Sequence, residues 1–280
     1  MDRIAQALKL AKEDNTIDVP YMPTDSSPRV EATDPVRKQE QEQEAQPQIN
    51  IIRNIDIPDE YLRKQRVISS YWNEPIADAF RLLRTRILQR MAQNKWTSIG
   101  ITSVEPKNGK SLTAINLGIA IAKEPGRSVI VVDTDLRRPS THQYFGIEPE
   151  IGIEDFLLGN KSIDSLLFSP GIEDFAILPC AKTIAGGPEL LKSPRMLELV
   201  TNLKILYPKH TIIYDLPPVL IGDDAIAFSA FVDTMLLVVE DGVTQDKALK
   251  EAKELLVDVN LIGTVLNKVP ETTSNYKDYY

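Results

Sequence analysis

The stretch that most limits what this chain can become is residues 97–113, TSIGITSVEPKNGKSLT. Ile99 and Ile101 alternate as in a strand, a polar loop closes on Gly109, Lys110 and Ser111, and Ala114, Ile115, Leu117 and Ile119 then recur at helical spacing. Strand, loop and helix in that order build a cradle for phosphate. The loop turns its backbone N–H groups inward and the helix N-terminus adds its positive dipole end. The lysine reaches the outer phosphates, and the serine hydroxyl can ligate Mg²⁺. The candidate nucleotide-binding residues are therefore Lys107, Asn108, Gly109, Lys110, Ser111 and Leu112. The full pattern, G-x-x-x-x-G-K-[ST], has glycine where this chain has Val104, so the match is partial.

The segments that follow supply what such a loop requires. SVIVVDTDLRRP (residues 128–139) reads as a buried parallel strand ending in Asp133 and Asp135. Ligand groups gather at the carboxyl ends of strands in a doubly wound sheet, which sets both carboxylates beside the phosphates. Asp133 would orient a Mg²⁺-bound water or accept a proton, and Asp135 would assist it or cap the next segment. HTIIYDLPPVL (210–220) gives a further strand, apolar up to Asp215. A carboxylate directly after such a run is the Walker B arrangement, in which aspartate holds Mg²⁺ or its water. The candidate metal ligands are thus Ser111, Asp133 and Asp215, and the candidate catalytic residues Lys110, Asp133, Asp135 and Asp215.

Residues 152–159 read as a short helix, FAILPC as a strand, and PELLKSPRMLELVTNLKILY as one longer helix with Leu190, Leu191, Met196, Leu199 and Leu203 inward. TMLLVVE and GTVLNK add two strands around the helix QDKALKEAKELLVDV. Strands alternating with helices at this spacing predict an α/β fold, a doubly wound and mostly parallel sheet with helices on both faces. Asn267 and Lys268, at the end of the last strand, are placed for an adenine contact or for a turn. Cys180, the single cysteine, ends a strand and reads as a buried small hydrophobe, with no internal disulfide to make.

The domain organisation follows from composition. Residues 1–13 carry Ile4, Ala5, Leu8 and Ala11 on one face, a short amphipathic helix suited to docking on a partner. Residues 14–50 turn to Pro, Glu, Gln, Ser and Thr and predict a disordered linker. A globular domain is expected over 51–270, since 42% hydrophobic residues in 280 suffice for a normal core. Within it, residues 73–91 form a helix with Ile76, Phe80, Leu83 and Ile87 in one stripe and Arg81, Arg84 and Arg86 mostly off it. A tail over 271–280 ends in NYKDYY, which places Tyr276, Tyr279 and Tyr280 beyond any core.

A net charge of −8 argues against a broad nucleic-acid surface, so no nucleic-acid partner is expected. No apolar run approaches the roughly 18 residues of a membrane span and none resembles a signal peptide. The expectation is a cytoplasmic chain whose membrane role, if it has one, comes through a partner.

Lys110-Ser111, the segment DTDLRRP (133–139), the segment DLPP (215–218) and the tyrosine tail together resemble the bacterial tyrosine kinases, the autophosphorylating P-loop kinases of capsule and exopolysaccharide synthesis within the MinD/ParA-like superfamily. The resemblance covers about residues 70–280. It implies ATP and Mg²⁺ as cofactors, Walker A at 104–111, a second motif called Walker A′ at 131–135, and Walker B at 212–215. It makes Tyr276, Tyr279 and Tyr280 phosphoacceptors, modified in trans within a ring-shaped homo-oligomer. The family's E-x-x-R-x-x-R contact pattern falls here on Asp78, Arg81 and Arg84, with aspartate in place of the usual glutamate. The resemblance further implies a separate transmembrane polysaccharide co-polymerase as activator, a location at the inner face of the plasma membrane through that partner, and a cognate tyrosine phosphatase. Arg137 and Arg138 are candidates to hold the acidic or phosphorylated tail.

Two rival readings use the same loop. A MinD- or ParA-like ATPase that positions a membrane or DNA complex carries a signature lysine at the second loop position, which is Glu105 here. A non-catalytic nucleotide-binding scaffold would be free to lose Asp133, Asp135 and Asp215, all of which are present.

Overall fold

Apolar runs too long for a half-exposed strand become the central strands of a parallel sheet. The strands are β1 (Arg53–Asn54), β2 (Ser98–Ser103), β3 (Ser128–Asp133), β4 (Phe168–Ser169), β5 (Phe175–Leu178), β6 (His210–Asp215), β7 (Thr234–Glu240) and β8 (Leu261–Asn267), in the order β1-β4-β5-β3-β6-β2-β7-β8. Every pairing is parallel except β4 with β5. The computed structural model describes residues 53–68, 72–74, 76–159, 161–184 and 186–270, all of them within a compact unit of residues 45–280. The helix expected at 1–13, the linker expected at 14–50 and the tyrosines of 271–280 lie outside the described residues.

Alternation along the strands separates two cores. Ile130, Val132, Ile212, Tyr214, Leu237 and Val239 face one layer, while Val129, Val131, Ile213, Leu236 and Val238 face the other. The second layer is closed by α1 (Asp59–Lys64), α2 (Ile76–Asn94) and α3 (Lys110–Ala122), which contribute Leu62, Ile87, Met91, Ile115 and Ile119. The first layer is closed by α4 (Ile153–Leu157), α5 (Gly187–Leu191), α6 (Pro194–Leu206), α7 (Asp224–Phe228) and α8 (Asp246–Leu255). The doubly wound α/β architecture is as the sequence predicts.

Several local expectations differ. The single helix expected from Pro188 onward is two, α5 and α6. Pro194 has no N–H to continue the first helix and disfavours a helical Ser193, which sits at φ −73°, ψ 154°. In α2 the buried line runs through Ala77, Ile87, Leu88 and Met91, with Phe80 and Leu83 packed beside it, whereas Ile76 is 51% exposed at the helix start. The helix α8 ends at Leu255, short of the predicted 259. The two-residue strands β1 and β4 and the short helices α1 and α7 carry too few residues to show a period.

The sheet brings the chemistry to one edge. Strands β3, β6 and β2 are neighbours, and the register pairs Asp133 with Asp215 and Asp215 with Ile101. Both carboxylates therefore stand beside the loop that leaves β2.

Candidate active site

The loop from β2 into α3 is shaped by two left-handed residues, Lys107 at φ 67° and Gly109 at φ 93°. Gly109 is the residue before α3, so Lys110 and Ser111 occupy the first helical turn, where backbone N–H groups have no intrahelical acceptor. Val104, in place of the expected glycine, lies outside the left-handed region and is fully buried. Its N–H donates to the Val238 carbonyl at 3.2 Å and its carbonyl accepts from Leu220 N–H at 3.3 Å. A β-branched residue suits that strand-like position, which is why the missing glycine does not disturb the loop. The Glu105 N–H donates to Asn108 Oδ1 at 2.8 Å, closing the turn from inside.

Lys110 lies beneath the loop among three carboxylates. Its Nζ is 2.9 Å from Asp135 Oδ2 and 3.1 Å from Asp215 Oδ1, and it donates to Ser111 Oγ at 3.3 Å. Burial pulls its ammonium pKa down, but Asp215, Asp135 and Asp133 outweigh that and raise it, so the side chain stays charged. Asp215 is wholly buried. Burial, opposed by Lys110 and reinforced by Asp133, pushes its pKa up to about 7. Its second oxygen, Oδ2, is buried without a hydrogen-bond partner.

Asp133, expected to orient a Mg²⁺-bound water or accept a proton, is held at the end of β3 by four hydrogen bonds. Its Oδ2 accepts from Ser140 N–H at 2.9 Å, Thr141 N–H at 3.0 Å and Thr141 Oγ1 at 2.9 Å, and its Oδ1 accepts from Asp135 N–H at 3.2 Å. Burial raises its pKa, opposed by Lys110 and those amides. The side chain folds the segment after β3 back on itself, and Ser140 Oγ then donates to Ser111 Oγ at 3.0 Å. Asp135 Oδ1 accepts from Arg138 N–H at 3.0 Å while Oδ2 holds Lys110.

Three positions that shape the candidate site escaped sequence reasoning. Ser140 and Thr141 hold Asp133, and nothing but their place after Pro139 marks them. Glu240 ends β7 as Asp133 and Asp215 end β3 and β6; because β7 pairs with β2, it also reaches the loop. A carboxylate closing an apolar strand was the signal available. Asn267 and Lys268, expected near adenine, touch the loop itself: Asn267 Nδ2 donates to the Asn108 carbonyl and Lys268 Nζ to the Lys107 carbonyl, each at 2.8 Å.

The residues expected at a subunit contact lie on α2. Arg81 pairs with Asp78, donates to the Trp72 carbonyl and stacks 4.7 Å from the Trp72 ring centroid. Arg84 reaches α3, donating to the Ala120 carbonyl at 3.2 Å and pairing with Glu124 at 3.2 Å. Arg84 thus lies on the buried side of α2, not off the stripe. Arg137 pairs through Nε with the buried Asp224 at 2.8 Å, while Arg138 is exposed. Leu112 sits in the first turn of α3 behind Ser111, partly buried.

Residues 99–280 match the family model described as the CobQ/CobB/MinD/ParA nucleotide-binding domain. The tyrosine-protein kinase YwqD of Bacillus subtilis (strain 168) is 30% identical over 206 residues, 73% of this chain and 86% of that one. The chain belongs to the bacterial tyrosine-protein kinases of that nucleotide-binding family. Among solved structures, the chimerical protein CapA2B2 is 30% identical, with a TM-score of 0.69 over 79% of this kinase and 95% of that chain. The kinase domain of the Escherichia coli tyrosine kinase ETK is 28% identical, with a TM-score of 0.65 over 73% of this kinase and 80% of that chain. Among the described residues, no helix of the kinase is long and apolar enough to cross a membrane.

Proposed function

We propose that this kinase transfers the γ-phosphoryl group of ATP to Tyr276, Tyr279 and Tyr280 of a neighbouring copy, and that the modification regulates capsule or exopolysaccharide synthesis and export. The observation that carries the chemistry is Lys110 held at the head of α3 between Asp135 and Asp215. Phosphoryl transfer is mainly a matter of alignment and of countering charge on the moving group. In this reading the amides of the 104–109 loop and of the first turn of α3 bind the phosphates. Lys110 moves from its carboxylate partners to the outer phosphate oxygens.

The donor set fits Mg²⁺. Ser111 Oγ and Asp215 offer oxygen only, the hard ligands that cation selects, and Asp215 Oδ2 is a buried oxygen that lacks a partner. Ser111 and Asp215 would hold the ion, with Asp133 beside them. When bound, it neutralises charge shared by the β- and γ-phosphates. Asp133 keeps the loop carrying Ser140 folded against Ser111 through three hydrogen bonds to Oδ2, which leaves its proton-accepting role toward an incoming tyrosine to Oδ1, the oxygen that accepts only the Asp135 N–H. Asp135 orients Lys110.

Delivery of the tail in trans needs a homo-oligomer, and the ring contact is assigned to Asp78, Arg81 and Arg84, of which Asp78 has the most exposed side chain. A separate transmembrane co-polymerase would hold the kinase at the inner face of the plasma membrane, and a tyrosine phosphatase would reverse the modification.

Intact-mass analysis after incubation with Mg²⁺ and ATP tests the proposal. Successive additions of phosphate on the wild type, absent from Lys110→Met and from a chain lacking residues 276–280, are expected. A wild type that hydrolyses ATP but gains no phosphate would sink it in favour of a positioning ATPase.

A further inference from the structure

The ends of β7 and β8 grip the outer side of the phosphate loop through three contacts, and an ion pair joins the two ends to each other. Lys268 Nζ donates to the Lys107 carbonyl at 2.8 Å and pairs with Glu240 Oε2 at 3.0 Å. That same Glu240 oxygen accepts from Asn108 Nδ2 at 3.2 Å, and Asn267 Nδ2 donates to the Asn108 carbonyl at 2.8 Å. The other atom of the Asn108 side chain, Oδ1, holds the Glu105 N–H, so this 2%-exposed residue links the grip to the inside of the turn.

The direction of these bonds matters more than their number. A peptide unit is planar and trans, so its carbonyl oxygen and the following N–H point to opposite sides. Pinning the carbonyls of Lys107 and Asn108 outward, onto Lys268 and Asn267, aims the N–H groups of Asn108 and Gly109 inward. Lys107 adopts φ 67°, a region a residue with a Cβ avoids, and the pinned carbonyl is what holds it there. Gly109 fits the same arrangement, since a Cβ at that position would run into the Asn267 side-chain nitrogen. Asn267 thus has its side-chain nitrogen engaged by the loop.

We infer that Glu240, Asn267 and Lys268 are positioning residues that set the phosphate loop, acting on the triphosphate through the Asn108 and Gly109 amides and making no contact with adenine. The inference rests on the nucleotide reading of the loop. Glu240 keeps Lys268 in place by its charge, and its own pKa is lowered, chiefly by the hydrogen bond from Lys268.

The test uses the full chain and three probes titrated by calorimetry in Mg²⁺: ATP, GTP and inorganic tripolyphosphate, which has no base. Asn267→Ala and Lys268→Ala are expected to weaken all three by a similar factor, roughly tenfold for the loss of one hydrogen bond to the loop. The ATP-to-GTP ratio should stay that of the wild type, and Lys268→Arg should regain most of the affinity. Lys268 is a surface side chain, 43% exposed, so its replacement leaves the fold intact even if Asn267→Ala does not. Weakening confined to ATP, with tripolyphosphate unaffected, would overturn the inference and return these residues to the base. Equal binding by wild type and variants would overturn it while leaving the nucleotide site standing. A wild type that binds none of the three probes would overturn both.

Discussion

Gly109 meets two demands at once, a left-handed φ of 93° and a close approach by Asn267. An alanine there pays the steric cost of that backbone region, about 1–2 kcal/mol, before any displacement of Asn267. Gly109→Ala is therefore expected to lower the melting temperature and to weaken Mg-ATP binding together, which thermal unfolding and calorimetry on one preparation would show. Lys110 makes a different prediction, because its removal leaves Asp135 and Asp215 facing each other in a buried site. Breaking a buried pair from one side costs about 3–5 kcal/mol when the charge left behind cannot escape. Asp215 can escape by taking a proton. Its folded pKa, about 7 with Lys110 present, lies above the ordinary carboxylate value near 4, so the protonated form favours the fold. The penalty of ionising it is absent at the acid end, grows as pH rises through that interval, and is complete above it. Lys110→Met should accordingly lose more stability at pH 8 than at pH 5.5. An equal loss at the two values would mean that Asp215 does not titrate this way. Asp133, Asp135 and Asp215 were legible in the sequence because each closes a strand or stands two residues beyond one. Glu240 carries the same signal, but only strand order shows that β7 lies next to β2. Ser140 and Thr141 were not legible, since their bonds to Asp133 depend on a fold-back that no spacing announces.

At the level of elements, a continuous helical pattern concealed a break. Leu190, Leu191, Met196, Leu199 and Leu203 keep helical spacing across Ser193-Pro194, so periodicity alone favoured one helix, yet Pro194 forces a restart. Ser193 joins the pieces: its hydroxyl donates to the Leu190 carbonyl at 2.7 Å and accepts from Met196 N–H at 3.2 Å. Ser193→Ala removes a helix cap and is expected to cost about 1 kcal/mol, read as a fall of roughly 2–4 °C in melting temperature. Met196 and Leu199 keep α6 in the core, so kinase activity at 25 °C should not change. The antiparallel strand β4 illustrates a different limit. With two residues it shows no alternation, and its direction is set by the sharp return between Ser169 and Phe175, where Gly171 adopts φ 75°.

Across the described sheet, what ties the strands together and the proposed phosphate site stand at opposite ends of the same strands. The site gathers at the carboxyl ends of β2, β3 and β6, whereas Asp233 works at the start of β2 and β7. Its Oδ2 accepts from the N–H groups of Thr97 and Ser98, each at 2.8 Å, and from Ser98 Oγ at 2.9 Å, while Oδ1 takes Lys204 of α6 at 3.0 Å. One carboxylate thus ties two central strands to a covering helix. Burial pushes its pKa up, but the Thr97 amide, Lys204 and the Ser98 donors outweigh burial and hold it below the ordinary carboxylate range. A depressed folded pKa stabilises the fold above the unfolded value near 4, and that contribution fades as pH falls from there through the folded value. Asp233→Asn removes the charge at every pH and is expected to cost about 2 kcal/mol at pH 7, with the gap to wild type closing on acidification below pH 4. The six residues of β2 put roughly 20 Å between Asp233 and the phosphate loop at 3.3 Å per residue. At that distance the two ends should act independently: Asp233→Asn ought to leave Mg-ATP affinity unchanged, and its loss of stability ought to add to that of Gly109→Ala within about 0.5 kcal/mol. A larger coupling in urea unfolding of the double variant would mean that β2 carries strain from one end of the sheet to the other.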